Sequence, residues 1–265
     1  MLLESLLFTL LAVPQAPTTA APTPKPAATA AAPKPSAPSD AGVAAAPAAA
    51  KPPDTGTASS ATKPAPKMTP EVKALVDRMQ AFYEKTGDFK AGFKQDYKYK
   101  TFRRTQSSSG TVTYKKPGLM RWEYTNPSTR TFVLAGNKVY AYDPDAQTLT
   151  VAAVDTSQLS ASVTFLFGQG KLADEFAISK GDCKDCKGTL LVLDPLKNEP
   201  RFRQVRLEVD PATAQVLKST VVDPDGSENT IAFLDLKTNV GIAADSFKLN
   251  PPEGTRVDDF TKKAQ

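Results

Sequence analysis

The folded part of the chain opens with apolar residues at helical spacing between Val72 and Tyr83. Thr69 can cap the first turn, Pro70 suits the first helical position, and Gly87 is placed to end the helix. One apolar face results, formed by Val72, Leu75, Val76, Met79, Phe82 and Tyr83. The pattern predicts a helix that packs against a sheet.

From Phe89 onward the hydrophobic period changes to two, which is typical of β-strands. Short strands follow at a spacing of about eight to twelve residues, separated by Pro-Gly, Asn-Pro, Gly-Asn and Asp-Pro pairs. The pair Gly136-Asn137 predicts a tight hairpin. The alternation stops at residues 157–170, where apolar residues at helical spacing predict a short second helix.

These elements predict a mainly β fold with helices (α+β), containing about ten or eleven antiparallel strands and almost no parallel βαβ pattern. An open sheet of that size must curl, and helices across its concave side would enclose an apolar space. The periodicity alone leaves open whether side chains fill that space or a ligand does.

Composition separates an N-terminal region from the folded part. Thirteen of the 23 prolines lie between Pro14 and Pro66, and no aromatic residue occurs between Phe8 and Phe82. Such a segment cannot bury enough apolar surface to offset its chain entropy. Residues 17–67 are therefore predicted to form a disordered Ala/Pro-rich tether.

Residues 1–16 contain the apolar run LLFTLLAV, which has the length of the apolar central region of a signal peptide and is too short to span a bilayer. Export is the preferred interpretation, with a misassigned start codon or a short membrane-proximal segment as the alternatives. The predicted organisation is thus a signal peptide, the tether, and one domain over residues 68–265.

The chain has no histidine, which removes Ser-His-Asp and Cys-His catalysis and histidine-ligated metal sites. Carboxylate-based chemistry remains open in principle, so an enzyme is disfavoured but not excluded, and we expect no cofactor or metal. The net charge is +5, of which residues before Met68 supply +2. The densest basic stretch, Lys94 to Arg104, alternates with aromatics and is more typical of a solvated sheet face than of a nucleic-acid site. Mild attraction to anionic lipid headgroups is left open.

The two cysteines, Cys183 and Cys186, lie in the sequence GDCKDCKG between two predicted strands. A redox Cys-x-x-Cys pair needs a thiol at a helix N-terminus, whereas glycines and charges here indicate a hairpin tip. In an exported protein the pattern favours a local disulfide, and a thiol oxidoreductase is the alternative.

Three stretches after Met68 resemble the outer-membrane lipoprotein carrier family, LolA. They are SSGTVTYKKPGLMRWEYTNPS, VLAGNKVYAYDPDAQTLTV and VVDPDGSENTIAFLDLKTNVGIAADSFKLNPPEGTRV, in that order. The resemblance covers residues 68–260. It implies an incomplete antiparallel β-barrel with helices forming a lid over a hydrophobic cavity.

The resemblance also implies a periplasmic, non-enzymatic chaperone. Such a protein takes acylated lipoproteins from an inner-membrane ABC exporter and passes them to an outer-membrane receptor, as a monomer and without nucleic acid. No cysteine lies near the N-terminus, which favours a diffusing carrier over a lipid-anchored receptor. A carrier of other hydrophobic ligands, such as glycolipids or fatty acyl chains, is the alternative.

Alternation along residues 119–124 places Met120, Trp122 and Tyr124 on one side of a strand. A packed core would explain this row, but the resemblance implies the lining of a cavity. The candidate lining residues are Met120, Trp122, Tyr124, Phe132, Leu134, Phe165, Leu166 and Phe167. Lys116 stands where the family usually has an arginine that holds the lid, and it is expected to contact the second helix.

Overall fold

A computed structural model describes residues 68–154 and 170–261. These residues form one large sheet with short helices. The elements are α1 (Pro70–Lys85), β1 (Asp88–Tyr99), β2 (Arg104–Lys115), β3 (Leu119–Asn126), β4 (Arg130–Ala135), β5 (Lys138–Asp143), β6 (Thr148–Ala153), α2 (Leu172–Glu175), β7 (Phe176–Lys180), β8 (Thr189–Pro195), β9 (Gln204–Val209), β10 (Val216–Val222), β11 (Glu228–Thr238), a 3₁₀ helix (Ala244–Phe247) and β12 (Arg256–Asp259).

The twelve described strands are ordered β12-β6-β5-β4-β3-β2-β1-β11-β10-β9-β8-β7, and the two outer strands do not pair with each other. This unclosed, largely antiparallel sheet confirms the predicted mainly β class. The predicted strand number was one or two too low, and β12 also pairs in parallel with β6. β12 is only four residues long and lies in a Pro/Gly-rich tail, so its hydrophobic and polar residues show no clear alternation that would predict a strand.

Helix α1 confirms the predicted amphipathic helix. The Val72 amide donates to the Thr69 side-chain oxygen over 3.3 Å, and Pro70 occupies the first turn. The helix ends at Lys85 with Thr86 as its cap, one residue before the predicted Gly87. Its apolar face is buried in a first cluster with residues of β7–β10, among them Ile178, Leu191, Leu193, Val205, Leu207 and Val216.

A second apolar cluster lies on the β1–β5 part of the same sheet face. Cross-strand partners share a face, and Ile231 of this cluster lies opposite Ser219, which lies opposite Leu207 of the first cluster. The second cluster comprises Phe89, Ala91, Phe93, Val112, Tyr114, Trp122, Tyr124, Phe132, Leu134, Val139 and Ile231. One continuous face therefore carries α1 at one end and an aromatic-rich cluster at the other.

Asp88 anchors the C-terminal tail to the start of β1. Its buried carboxylate accepts the amides of Val240, Gly241 and Ile242 at 2.7–3.1 Å. Farther along, Arg121 donates to two backbone carbonyls of the tail. These contacts direct the tail across the sheet, so that β12 reaches the free edge of β6.

Glu208 fastens the cysteine loop to β9. Its buried carboxylate accepts the amides of Lys187 and Gly188 at 2.6 and 3.2 Å, and its Oε2 lies 2.9 Å from Nζ of Lys218. Burial acts to raise the pKa of Glu208, but the bonds from Lys218, Gly188 and Lys187 outweigh it and leave the pKa below its ordinary value. The ionised carboxylate therefore stabilises the fold.

We expect Glu208→Gln to lower the free energy of unfolding at pH 7 by about 2 kcal/mol, because one acceptor oxygen and the partner of Lys218 are lost. A lowered pKa contributes stability above the unfolded value of about 4.3, and that contribution disappears as pH falls through the folded pKa. Urea unfolding at neutral and acidic pH should thus show the variant and the wild type converging in acid. Exposed Glu253→Gln is the control, and a pH-independent difference would contradict the assignment.

Candidate ligand-binding face

The structure brings five of the eight predicted lining residues together on the apolar face. Trp122 and Tyr124 are buried and Met120 is half-buried on β3. On β4, Phe132 lies opposite Trp122 and Leu134 lies opposite Met120. The other three, Phe165, Leu166 and Phe167, lie outside the described residues, as does the predicted second helix. The lid and the closed hydrophobic cavity beneath it therefore stay predictions.

Edge-to-face contacts join four rings on this face, which we call the aromatic wall: Phe93, Trp122, Tyr124 and Phe132. The Phe93 ring lies 4.8 Å from Trp122 and 5.0 Å from Tyr124, measured between centroids, and Tyr124 lies 5.8 Å from Phe132. The Trp122 indole N–H points at the Met120 sulfur, 2.9 Å away. The indole is thus held by neighbouring side chains in this structure. The aromatic wall is apolar, and the flexible thioether of Met120 lies beside it.

A buried polar group closes one end of the aromatic wall. The Tyr124 hydroxyl and the Ser108 hydroxyl donate to Oε1 of Gln95, whose amide nitrogen donates to Asn229 at 3.0 Å. Burial raises the pKa of Tyr124, so its phenol stays neutral. Gln95 was not among the predicted site residues, although its two-residue spacing from Phe93 places both side chains on the inner face.

An open cavity of about 350 Å³, largely exposed to solvent, lies beside the wall on the same face, towards the β12 edge. Phe132 and Ala141 connect it to the aromatic cluster. Its remaining lining is mostly polar: Arg130, Tyr142, Asp143, Ala146, Thr148, Thr150, Arg256 and Asp258. Nε of Arg130 lies 3.2 Å from Asp143, and Arg256 pairs with Asp258 over 2.9 Å. The apolar face therefore grades into a charged rim, which the sequence analysis did not identify.

Lys116 binds the end of α1. Its ammonium donates to the carbonyl oxygens of Tyr83 and Glu84, at 3.0 and 2.7 Å, where a helix leaves its carbonyls without intrahelical partners. The Val216 amide on β10 donates to the Tyr83 hydroxyl, and burial raises the pKa of that phenol to about 12. Lys116 thus links the β2–β3 turn to the first helix, whereas the expected contact involves the second.

Cys183 and Cys186 are joined as a disulfide in an exposed turn, with their Cα atoms 5.5 Å apart. The preceding element is a strand, β7, and not a helix N-terminus. The bond closes a small loop whose following residues are held by Glu208. In the part of the chain that the structure describes, no helix is long and apolar enough to cross a membrane.

The family model for the outer membrane lipoprotein carrier protein LolA matches residues 84–250. The chain belongs to the LolA family. The match spans β1–β11 and so includes the aromatic wall, Lys116 and the disulfide loop. The resemblance seen in the sequence motifs is confirmed.

Curated LolA relatives match over most of their own length. The outer-membrane lipoprotein carrier protein of Dechloromonas aromatica is 29% identical over 183 residues, covering 69% of this chain and 86% of the relative. That of Pseudomonas paraeruginosa is 28% identical over 188 residues, covering 69% and 87%. A solved LolA superfamily protein from Nitrosomonas europaea aligns with a TM-score of 0.38 and 8% identity, covering 67% of this chain and 97% of that one.

Proposed function

We propose that this LolA-family protein is a non-enzymatic carrier that binds the acyl chains of lipoproteins on the β1–β5 face. The observation that carries the proposal is the row of Trp122, Tyr124 and Phe132, which runs into the neighbouring cavity. The names of the curated relatives, outer-membrane lipoprotein carrier proteins, support the ligand class.

The physical task of such a carrier suits an apolar sheet face. Each buried CH₂ is worth about 0.8 kcal/mol, so a long acyl chain exposed to water costs on the order of 10 kcal/mol. Non-directional contact with aromatic rings and Met120 matches chains of different length without fixing one geometry. The Phe93–Trp122 and Tyr124–Phe132 contacts would open as a chain enters, exchanging ring–ring contacts for ring–chain contacts.

We further propose that the carrier works in the periplasm and transports lipoproteins from the inner to the outer membrane. Export by residues 1–16 would deliver the carrier to the periplasm, where it would receive lipoproteins from an inner-membrane ABC exporter. It would then release them to an outer-membrane receptor, working as a monomer. Residues 17–67 would serve as the tether of the carrier domain.

Trp122 provides a direct test because it is the chain's only tryptophan. A brominated fatty acid bound on the proposed face lies against the indole, so Trp122 fluorescence should be quenched in a saturable manner. A brominated soluble alcohol of similar size is the control for collisional quenching. Absence of saturable quenching would overturn the proposed site.

Competition then separates the ligand classes. A triacylated lipopeptide should displace the brominated fatty acid at lower concentration than a glycolipid with the same chains. Equal displacement would favour a general carrier of hydrophobic ligands. After the Cys183–Cys186 disulfide has been reduced, rapid alkylation of either thiol by iodoacetamide at neutral pH would instead favour the thiol oxidoreductase.

Lys116 is proposed to control ligand entry through α1. Lys116→Met removes both bonds to the α1 carbonyls, so we expect acyl-chain association and release to accelerate about threefold to tenfold, equivalent to one or two hydrogen bonds. Lys116→Arg should restore slow exchange because guanidinium keeps the charge and adds donors. Stopped-flow Trp122 quenching measures both rates, with neighbouring Lys115→Met as the control. Wild-type rates in Lys116→Met would remove this role.

A further inference from the structure

Strands β1 and β2 extend beyond the neighbouring strand β3 at one end of the sheet. β2 pairs with β3 only from Ser109 onward, whereas β1 and β2 remain paired as far as Tyr99 and Arg104. We call residues 98–104 the β1–β2 tip. At its turn Phe102 is 77% exposed, with its ring 6.3 Å from that of Tyr99. An aromatic side chain is thus displayed at the most protruding point of the hairpin.

The tip is strongly basic. Its exposed bases are Lys98, Lys100, Arg103 and Arg104. The nearby acids lie on β11 and on the β10–β11 turn. Glu228 lies opposite Lys98 but pairs with Arg206. The Lys100 side chain lies over Gly226 beside Asp225, and Asp223 accepts a hydrogen bond from Tyr97. Among the residues that the structure describes, Lys98, Arg103 and Arg104 form no salt bridge. The positive charge of the tip is therefore available to a partner.

The tip lies at the same end of the sheet as the charged rim of the cavity. Following the strand pairing across the sheet, Arg130, Asp143, Thr148 and Arg256 are the terminal residues of β4, β5, β6 and β12 at this end. Lys116 and the C-terminus of α1 lie at the opposite end, beside the β2–β3 turn. A surface that contacts the tip thus approaches the cavity rim and not the contact between Lys116 and α1.

We propose that the β1–β2 tip docks on an anionic lipid bilayer, with Phe102 among the headgroups and Lys98, Arg103 and Arg104 on their phosphates. Aromatic residues flanked by Lys and Arg suit the membrane interface, where a ring sits at headgroup level and cations attract anionic lipid. A single turn is also much smaller than the roughly 800 Å² per partner of a stable protein interface. Docking involves only the tip and does not depend on the proposed acyl-chain binding.

Cosedimentation of the full chain with vesicles tests the proposal. Phosphatidylcholine vesicles containing phosphatidylglycerol should bind the wild type, and pure phosphatidylcholine vesicles should bind it weakly. Phe102→Ser should lower partitioning about tenfold. The triple variant Lys98→Gln/Arg103→Gln/Arg104→Gln should lower it on the order of a hundredfold, about fivefold for each base. Added salt should weaken wild-type binding in parallel.

Matched controls separate docking from other causes. Phe260 is 68% exposed far from the tip, and Phe260→Ser should partition like the wild type, as should Lys184→Gln/Lys187→Gln. Brominated fatty acid quenching of Trp122 without vesicles should be unchanged in all variants, so that failed docking and failed acyl binding give different results. Wild-type partitioning of the tip variants would overturn the proposal. Binding to polyglutamate would also overturn it if that binding is as strong as binding to vesicles, needs the basic residues and does not need Phe102. Such a result would assign the tip to an acidic protein surface.

Discussion

Gly110→Ala is expected to destabilise the sheet by about 3 kcal/mol or more, on the scale of severe single substitutions. A Cβ at this position would lie 1.9 Å from the Glu123 carbonyl oxygen and 2.9 Å from the Tyr124 Cα. Both are backbone atoms of β3, so no side-chain rotation can relieve the clash. The strands must separate where Gly110 lies between Phe93 and Tyr124 in the pairing. The substitution should therefore also weaken packing around Trp122.

Gly92→Ala is the matched control on the adjoining strand. Its added Cβ would meet the Leu234 Cβ at 3.5 Å, an ordinary van der Waals contact, so we expect a change within about 0.5 kcal/mol. Urea unfolding monitored by Trp122 fluorescence compares the two variants directly. If both variants lose the same free energy of unfolding, the destabilisation would come from the loss of a glycine as such, and not from the close approach of β2 and β3.

Local pattern was sufficient for the elements because their causes are local. The Thr69 cap and the spacing from Val72 to Tyr83 define α1 without reference to any distant residue. The two-residue loop Gly136-Asn137 joins β4 and β5 as predicted, and Gly136 takes the positive φ of 62° that such a turn favours. Alternation also placed Met120, Trp122 and Tyr124 on one side of β3, although it did not fix which side is buried; Trp122 and Tyr124 are both buried.

Long-range organisation could not be obtained in this way. β1 pairs on one side with the next strand and on the other with β11, far along the chain, and period-two alternation is the same for either neighbour. β12 joins β6 because Asp88 and Arg121 hold the tail, and neither residue differs in the sequence from an ordinary solvated strand residue. Strand order depends on such individual side-chain contacts.

The candidate site also contains a part that local pattern predicts and a part that it does not. The apolar row was predictable because the two-residue period of hydrophobic residues indicates which side chains share a face of the sheet. Arg130 and Asp143 are charged residues that face inward, and alternation with Phe132 and Ala141 marks their side only once the inner face is known. The α1 contact of Lys116 depends on how the helix lies against the sheet, which a resemblance to short motifs does not specify.

Met120→Glu is expected to weaken acyl-chain binding at least about a hundredfold, because a carboxylate on the apolar face must either lose its hydration or exclude the chain. Met120 is half-buried at the edge of the cluster, so the folded protein can keep the new carboxylate hydrated when no ligand is bound.

Two variants isolate the effect of that charge on ligand binding. Met120→Leu conserves volume and apolarity and should bind within about threefold of the wild type. Thr125→Glu places the same charge on an exposed position of the same strand and should leave affinity unchanged. Titration of each variant with brominated fatty acid, together with its thermal unfolding, distinguishes lost binding from lost structure. Full affinity in a well-folded Met120→Glu protein would place the acyl chains elsewhere, because no apolar chain can lie against Trp122 without meeting its neighbour on β3.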